Sequence, residues 1–132
     1  MGFFEEPRYV INNVCNNFYE MPPNTIKEQT FCCGSGSGLN AGEDMELRMQ
    51  GGLPRANAVK HVHEKHGVNM LSCICALDRA VLPTSMEYWV PDVDVTGVHE
   101  MVGNALILDG EKKRITNLRG DPLPGMEDEE DV

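Results

Sequence analysis

Four of the five cysteines in this 132-residue chain stand in two tight pairs, Cys32-Cys33-Gly34 and Cys73-Ile74-Cys75. Adjacent cysteines pack poorly and form strained mutual disulfides. They suit a fold in which several thiolates must converge on one inorganic object. The chain around each pair reads as an extended approach followed by a helix. Val68–Ser72 is an apolar run that delivers Cys73 and Cys75, and good helix formers follow from about Leu77. Thr25–Phe31 is expected to run into Cys32 and Cys33 as a short strand or extended approach. Both pairs then fall at the carboxyl ends of strands, where open α/β sheets hold their cofactors.

The remaining elements follow from local signals. A first helix starts near Glu6, with Pro7 in its first turn and an apolar stripe of Val10, Val14 and Phe18. Met21-Pro22-Pro23 stops it. A second helix spans about Ala41–Gln50 and ends at Gly51-Gly52. Pro54 opens a third, which runs to His66 and stops at Gly67. Pro83 is expected to break or shift the helix over Leu77–Tyr88. Val93–Val98 is a further strand and His99–Leu108 a last helix. The fold class is therefore α/β: a single small domain with a short parallel sheet flanked by helices.

Charge separates a body from a tail. Residues 121–132 hold six acids and no Lys or Arg, so of the net charge of −10 the first 120 residues contribute −4. The expected organisation is a domain over 1–120 and a disordered acidic tail over 121–132. A mildly acidic body without a basic footprint argues against nucleic acid as a partner. No run approaches the roughly 20 apolar residues of a membrane span. MGFFEEPRYV lacks the basic start and apolar core of a signal peptide, so the expected location is cytoplasmic, where clustered cysteines bind metal or do redox chemistry.

Four soft thiolates select iron–sulfur or zinc. Structural zinc uses C-x₂₋₄-C knuckles, and spacings of zero and one residue fit it badly. Iron–sulfur is the leading reading, with zinc and redox-active or buried thiols behind it. The candidate metal ligands, and through the metal the catalytic residues, are Cys32, Cys33, Cys73 and Cys75. Gly34 and Gly36 begin a glycine-rich run whose amides can approach a bulky inorganic core; they are the candidate cofactor contacts. Cys15 reads as a small buried apolar residue or as an additional thiol near the site. His61, His63 and His66 fall at about 0°, 200° and 140° around a helix and cannot share one face. His99 is a candidate proton donor, Asp78 and Arg79 a candidate ion pair beside Cys75, and Arg55, Lys60 and Lys65 a basic helix side. Trp89 with Tyr88 is expected to cover the core. GSGSG lacks the Lys-Ser/Thr of a phosphate loop.

The cysteine pattern resembles the CCG domain of heterodisulfide-reductase-type proteins. The stretches EEPRYVINNVCNNFYEMPPNTIKEQTFCCGSGSGLN, ELRMQGGLPRANAVKHV, KHGVNMLSCICALDRA and YWVPDVDVTGVHEMVGNAL resemble the C-terminal part of the K subunit (DsrK) of the membrane-associated Dsr complex. The similarity runs from Glu5 to Leu108. The resemblance implies a [4Fe–4S] cluster, non-cubane in that family, on a domain peripheral to the inner face of the membrane. It also implies other subunits of a membrane-bound redox complex as partners. The substrate would be a di- or trisulfide on a small sulfur-carrier protein with a C-terminal cysteine arm, within dissimilatory sulfur metabolism. The chain departs from the pattern in three ways. The family's lone upstream cysteine has no counterpart, because Cys15 is too close to the CCG. The last pair is C-x-C where the wider family often has C-x-x-C. Ferredoxin-like motifs are absent. The expectation is thus the C-terminal portion of a larger subunit. A cluster-free interaction module and a zinc-stabilised domain are the alternatives.

Overall fold

The computed structural model describes residues 2–36, 38–39 and 44–106. The acidic tail and the end of the expected last helix lie outside the described residues. Helix α1 spans Glu5–Val14, α2 Met45–His66, strand β1 Met70–Cys73, α3 Ala76–Trp89, β2 Asp94–Gly97 and α4 Val98–Ala105. The strands form a two-stranded parallel sheet with Leu71 opposite Val95 and Cys73 opposite Gly97. Helix α3 is the crossover between them, as parallel strands require. The architecture is thus mixed helix with a short parallel sheet.

The core sits where α2 and α3 meet β2. Ala56 and Val59 of α2, Met86 of α3, and Val90 and Val93 form its buried cluster, with Met21, Leu71, Trp89 and Val95 packed around it. Trp89 does cover the core, and its indole Nε1–H donates to the Met49 carbonyl at 3.0 Å. Tyr88 meets it edge-on but is largely exposed.

Three local expectations give way to longer-range packing. The stretch expected as a strand or extended approach over Thr25–Phe31 is instead taken up mostly by two 3-10 turns, Pro23–Thr25 and Lys27–Gln29, and holds no strand. Pro22 and Pro23 fix the entry and Thr25 Oγ1 donates back to the Pro22 carbonyl at 2.8 Å, which curls the chain before it can extend. The two helices expected on either side of Gly51-Gly52 are one, α2, which continues through both glycines and Pro54. Asp44 caps its start by accepting from the Leu47 N–H at 2.9 Å, and Gly67, at φ +68°, closes it. Pro83 likewise sits inside α3 without ending it. Buried Val81, Leu82, Ser85 and Met86 hold both halves of α3 against the core.

Helix α1 is shorter than its apolar stripe suggests. Asn12 and Asn13 each donate to the carbonyl four residues back, and the helix stops with Cys15 at its C-cap. Phe18 therefore lies outside it.

Candidate metal centre

Cys32 and Cys33 are placed by backbone laid directly on backbone. Gly34 has φ +94°, and a Cβ there would stand 2.3 Å from the Arg48 carbonyl oxygen and 3.1 Å from the Gly52 nitrogen. Conversely, a Cβ on Gly52 would stand 2.9 Å from the Cys33 carbonyl oxygen. Gly52 inside α2 lets the cysteine loop touch the helix. It weakens the helix by about 1 kcal/mol relative to Ala.

The loop then turns its amides toward a thiol. The Gly34 N–H donates to Cys32 Sγ at 3.3 Å. The Gly34 and Gly36 amides, with the Arg55 guanidinium behind them, hold the Cys32 thiol below its ordinary value. Successive N–H groups around one atom make an anion-binding nest. Cys32 is exposed and Cys33 is half-buried. Burial pushes the Cys33 thiol up, and Asp78 adds to the shift.

The second pair is placed by the sheet. Strand β1 carries Cys73 to its carboxyl end, 7% exposed, where its Sγ–H donates to the Thr96 carbonyl of β2 at 3.4 Å. Burial first, then the charge of Asp78, push this thiol up to about 11. Cys75 is exposed at the N-cap of α3, next to the positive end of that helix. Thus the second pair lies at a strand end before a helix, as the sequence suggests. The first pair lies on a loop seated on a helix.

Asp78, in the first turn of α3, connects the two pairs electrostatically, since it raises both Cys33 and Cys73. It does not pair with Arg79. It accepts from Arg55 Nη1 of α2 at 3.2 Å, with side chains 12% and 22% exposed. Arg79 instead donates twice to Glu100 of α4, at 2.8 and 3.1 Å. Glu100 also accepts from the Gly97 N–H, and Arg79 above all holds its carboxyl at about 2. Two guanidinium nitrogens on α2, Arg48 Nε and Arg55 Nε, are buried with no partner among the described residues. Of these, Arg55 is the one that acts on Cys32, and a cationic N–H left open there fits an anionic, thiolate-ligated group.

The other candidates separate from this place. Among the described residues no three His, Cys, Asp or Glu side chains come together as ligands of a single ion. His63 Nδ1 lies 2.6 Å from the Val68 carbonyl, so that nitrogen is the donor. His66 stacks on Tyr19 with ring centroids 4.3 Å apart, and His61 is exposed. The His99 ring lies against the backbone of Gly97. Cys15 is half-buried and lines a groove with Ile11 and the edge of β1. Glu100 was not legible as a residue of this region, because its partner Arg79 lies on a different helix.

Over 133 aligned residues the chain is 53% identical to the Hdr-like menaquinol oxidoreductase iron–sulfur subunit 2 of Archaeoglobus fulgidus, covering 98% of this chain and 24% of that protein. The Hdr-like menaquinol oxidoreductase iron–sulfur subunit of Archaeoglobus profundus is 51% identical over 127 residues, 93% of this chain and 23% of its own length. Nearly the whole chain is homologous to a part of Hdr-family iron–sulfur subunits. A subunit of the dihydromethanophenazine:CoB–CoM heterodisulfide reductase of Methanosarcina acetivorans is 31% identical over 84% of the chain and 26% of its own length. The chain thus spans about a quarter of the length of the curated relatives it matches. No family model matches it, and no solved structure does.

Proposed function

We propose that this chain is the cluster-binding portion of an Hdr-like iron–sulfur oxidoreductase subunit, with Cys32, Cys33, Cys73 and Cys75 as the thiolates. The observation that carries the reading is the placing of Cys32, Cys33 and Cys73 within the electrostatic reach of the Arg55–Asp78 ion pair, whose Arg55 Nε–H is buried without a partner among the described residues. A tetrahedral zinc needs its four ligands at one point, whereas a [4Fe–4S] cluster takes one thiolate per iron and tolerates pairs set apart. When bound, such a cluster would supply single electrons for the cleavage of an S–S bond; two electrons and two protons would convert a disulfide to two thiols, or a trisulfide to one thiol and one persulfide.

The residues of this chain do the rest. The Gly34 and Gly36 amides favour the thiolate form of Cys32 and temper the charge of a bound group. Arg55 fixes Asp78, and Arg79 with Glu100 clamps α3 and α4 at the carboxyl end of the sheet. Cys32 and Cys75, the exposed members of each pair, mark the side open to a substrate.

The substrate class we assign is a cysteine-based di- or trisulfide on a small sulfur-carrier protein. The electron source is a quinol served by membrane-bound partner subunits, in line with the menaquinol oxidoreductase names of the Archaeoglobus relatives. No described helix is long and apolar enough to cross a membrane, so contact with one would run through those partners. The test is anaerobic turnover of a cysteine-trisulfide peptide with a reduced viologen dye, using the reconstituted chain together with its complex partners. Oxidation of two dye equivalents for each thiol and persulfide released supports the reading. Electron uptake by the iron–sulfur centre without thiol release would overturn the substrate, and no uptake would overturn the function.

A further inference from the structure

Strand β1 is hydrogen-bonded on one side only among the described residues. The Asp94 N–H donates to the Asn69 carbonyl at 2.9 Å, so Asn69 turns its backbone groups toward β2. Backbone groups alternate along a strand, so those of Met70 and Ser72 turn the other way. That other side is a groove of about 490 Å³. The consecutive residues 67–72 line it and no residue of β2 does, which places it along the outer edge of β1. Its far wall is apolar, with Ile11 and Val14 from α1, Val59 and Val62 from α2, and Met101 from α4. The hydroxyl of Ser72 is buried without a partner among the described residues, and Met70 is 49% exposed.

An open strand edge above an apolar groove is a site for strand addition. About three quarters of the length of the relatives lies outside the stretch that matches this chain. We infer that the β1 edge receives an extended segment of the same subunit from outside that stretch, one with alternating apolar residues. Its backbone pairs with Met70 and Ser72, its apolar side chains fill the groove against Ile11, Val14 and Val62, and it offers the Ser72 hydroxyl a partner. The added strand extends the sheet whose carboxyl end holds Cys73, so it also stiffens that end. The inference stands apart from the cluster reading, since none of its groups is a candidate ligand.

The probe is a set of overlapping synthetic peptides covering the Archaeoglobus fulgidus relative outside its matched stretch. Amide hydrogen exchange is followed on the full chain with each peptide. One peptide is expected to slow exchange at Met70 and Ser72 by about tenfold or more, while Leu71 and Cys73, already facing β2, change little. N-methylation at alternate residues of that peptide is expected to abolish the protection. Three results would overturn the inference. Every peptide leaves those two amides unchanged. They are already protected in the chain alone and become exposed when residues 107–132 are removed, so that this chain's own end is the occupant. They are protected only in a dimer of this chain and lose protection on dilution.

Discussion

The contact between Gly34 and α2 gives the sharpest prediction, because Gly34 and Gly38 share a positive φ while only Gly34 abuts α2 among the described residues. Gly34 has φ +94° and Gly38 φ +86°. Among the described residues a Cβ on Gly38 meets nothing within 4 Å, whereas one on Gly34 is 2.3 Å from the Arg48 carbonyl oxygen. Gly38→Ala therefore carries only the left-handed strain of an L-residue, about 1–2 kcal/mol. Gly34→Ala adds an overlap of backbone with backbone that no rotamer relieves, worth about 1–3 kcal/mol more on the scale of overpacked cores. The expected sum is roughly 2–5 kcal/mol. Urea unfolding followed by the fluorescence of Trp89, the only tryptophan, reports it, since its indole bonds to the α2 backbone. The same variant is expected to slow alkylation of Cys32 at neutral pH, because the amide nest around that sulfur opens. Equal losses for Gly34→Ala and Gly38→Ala, with Cys32 alkylated at the wild-type rate in both, would refute the seating of the loop on α2.

Further outcomes follow from the same contacts. In the metal-free chain, Cys32 is expected to alkylate first and Cys73 last, since Cys32 is exposed with a lowered pKa while Cys73 is buried and pushed up to about 11; mass spectrometry of partially labelled protein reads the order. Arg55→Met leaves Asp78 without its ion partner and is expected to destabilise by about 1–3 kcal/mol, with part of the loss recovered in Arg55→Met/Asp78→Asn. Glu100 has its carboxyl lowered from 4.5 to about 2, so its contribution is present above pH 4.5 and fades as pH falls toward 2. Arg79 is 38% exposed, and solvent screening limits that contribution to about 1–2 kcal/mol. In Glu100→Gln, stability measured by urea unfolding is expected to fall less steeply between pH 5 and pH 2.5 than in the wild type. Trp89→Phe removes the donor to Met49 and is expected to lower stability by about 1 kcal/mol, read from the urea midpoint by circular dichroism.

The parts of the fold that were legible in the sequence rest on local signals that tertiary structure did not oppose. The apolar run before Cys73 and the helix formers after it gave the strand–helix junction of the second pair, and Gly67 marked the end of α2. Gly51-Gly52-Leu53-Pro54 misled because its local meaning is a stop, whereas Gly52 answers to the close approach of Cys33 and Gly34, far away in sequence. The stripe of Val10, Val14 and Phe18 has helical spacing, but the Asn12 and Asn13 side chains and the turn at Cys15 end α1 before Phe18 is reached. The four candidate thiols were visible from their pairing alone. Arg55 was visible only as one charge on a helix side, because its partner Asp78 lies on a different element. Arg48, whose unpartnered nitrogen faces no local sequence signal, was not visible at all.

The central claim is that the two cysteine pairs together hold an iron–sulfur cluster. The most direct measurement is iron, zinc and acid-labile sulfide content after anaerobic reconstitution, alone and with the partner subunits, in the wild type and in Cys33→Ser and Cys73→Ser. The account predicts about four iron and four sulfide per chain in the wild type and a large loss of both in either variant, one from each pair. Zinc without labile sulfide, or iron content indifferent to both substitutions, would contradict it.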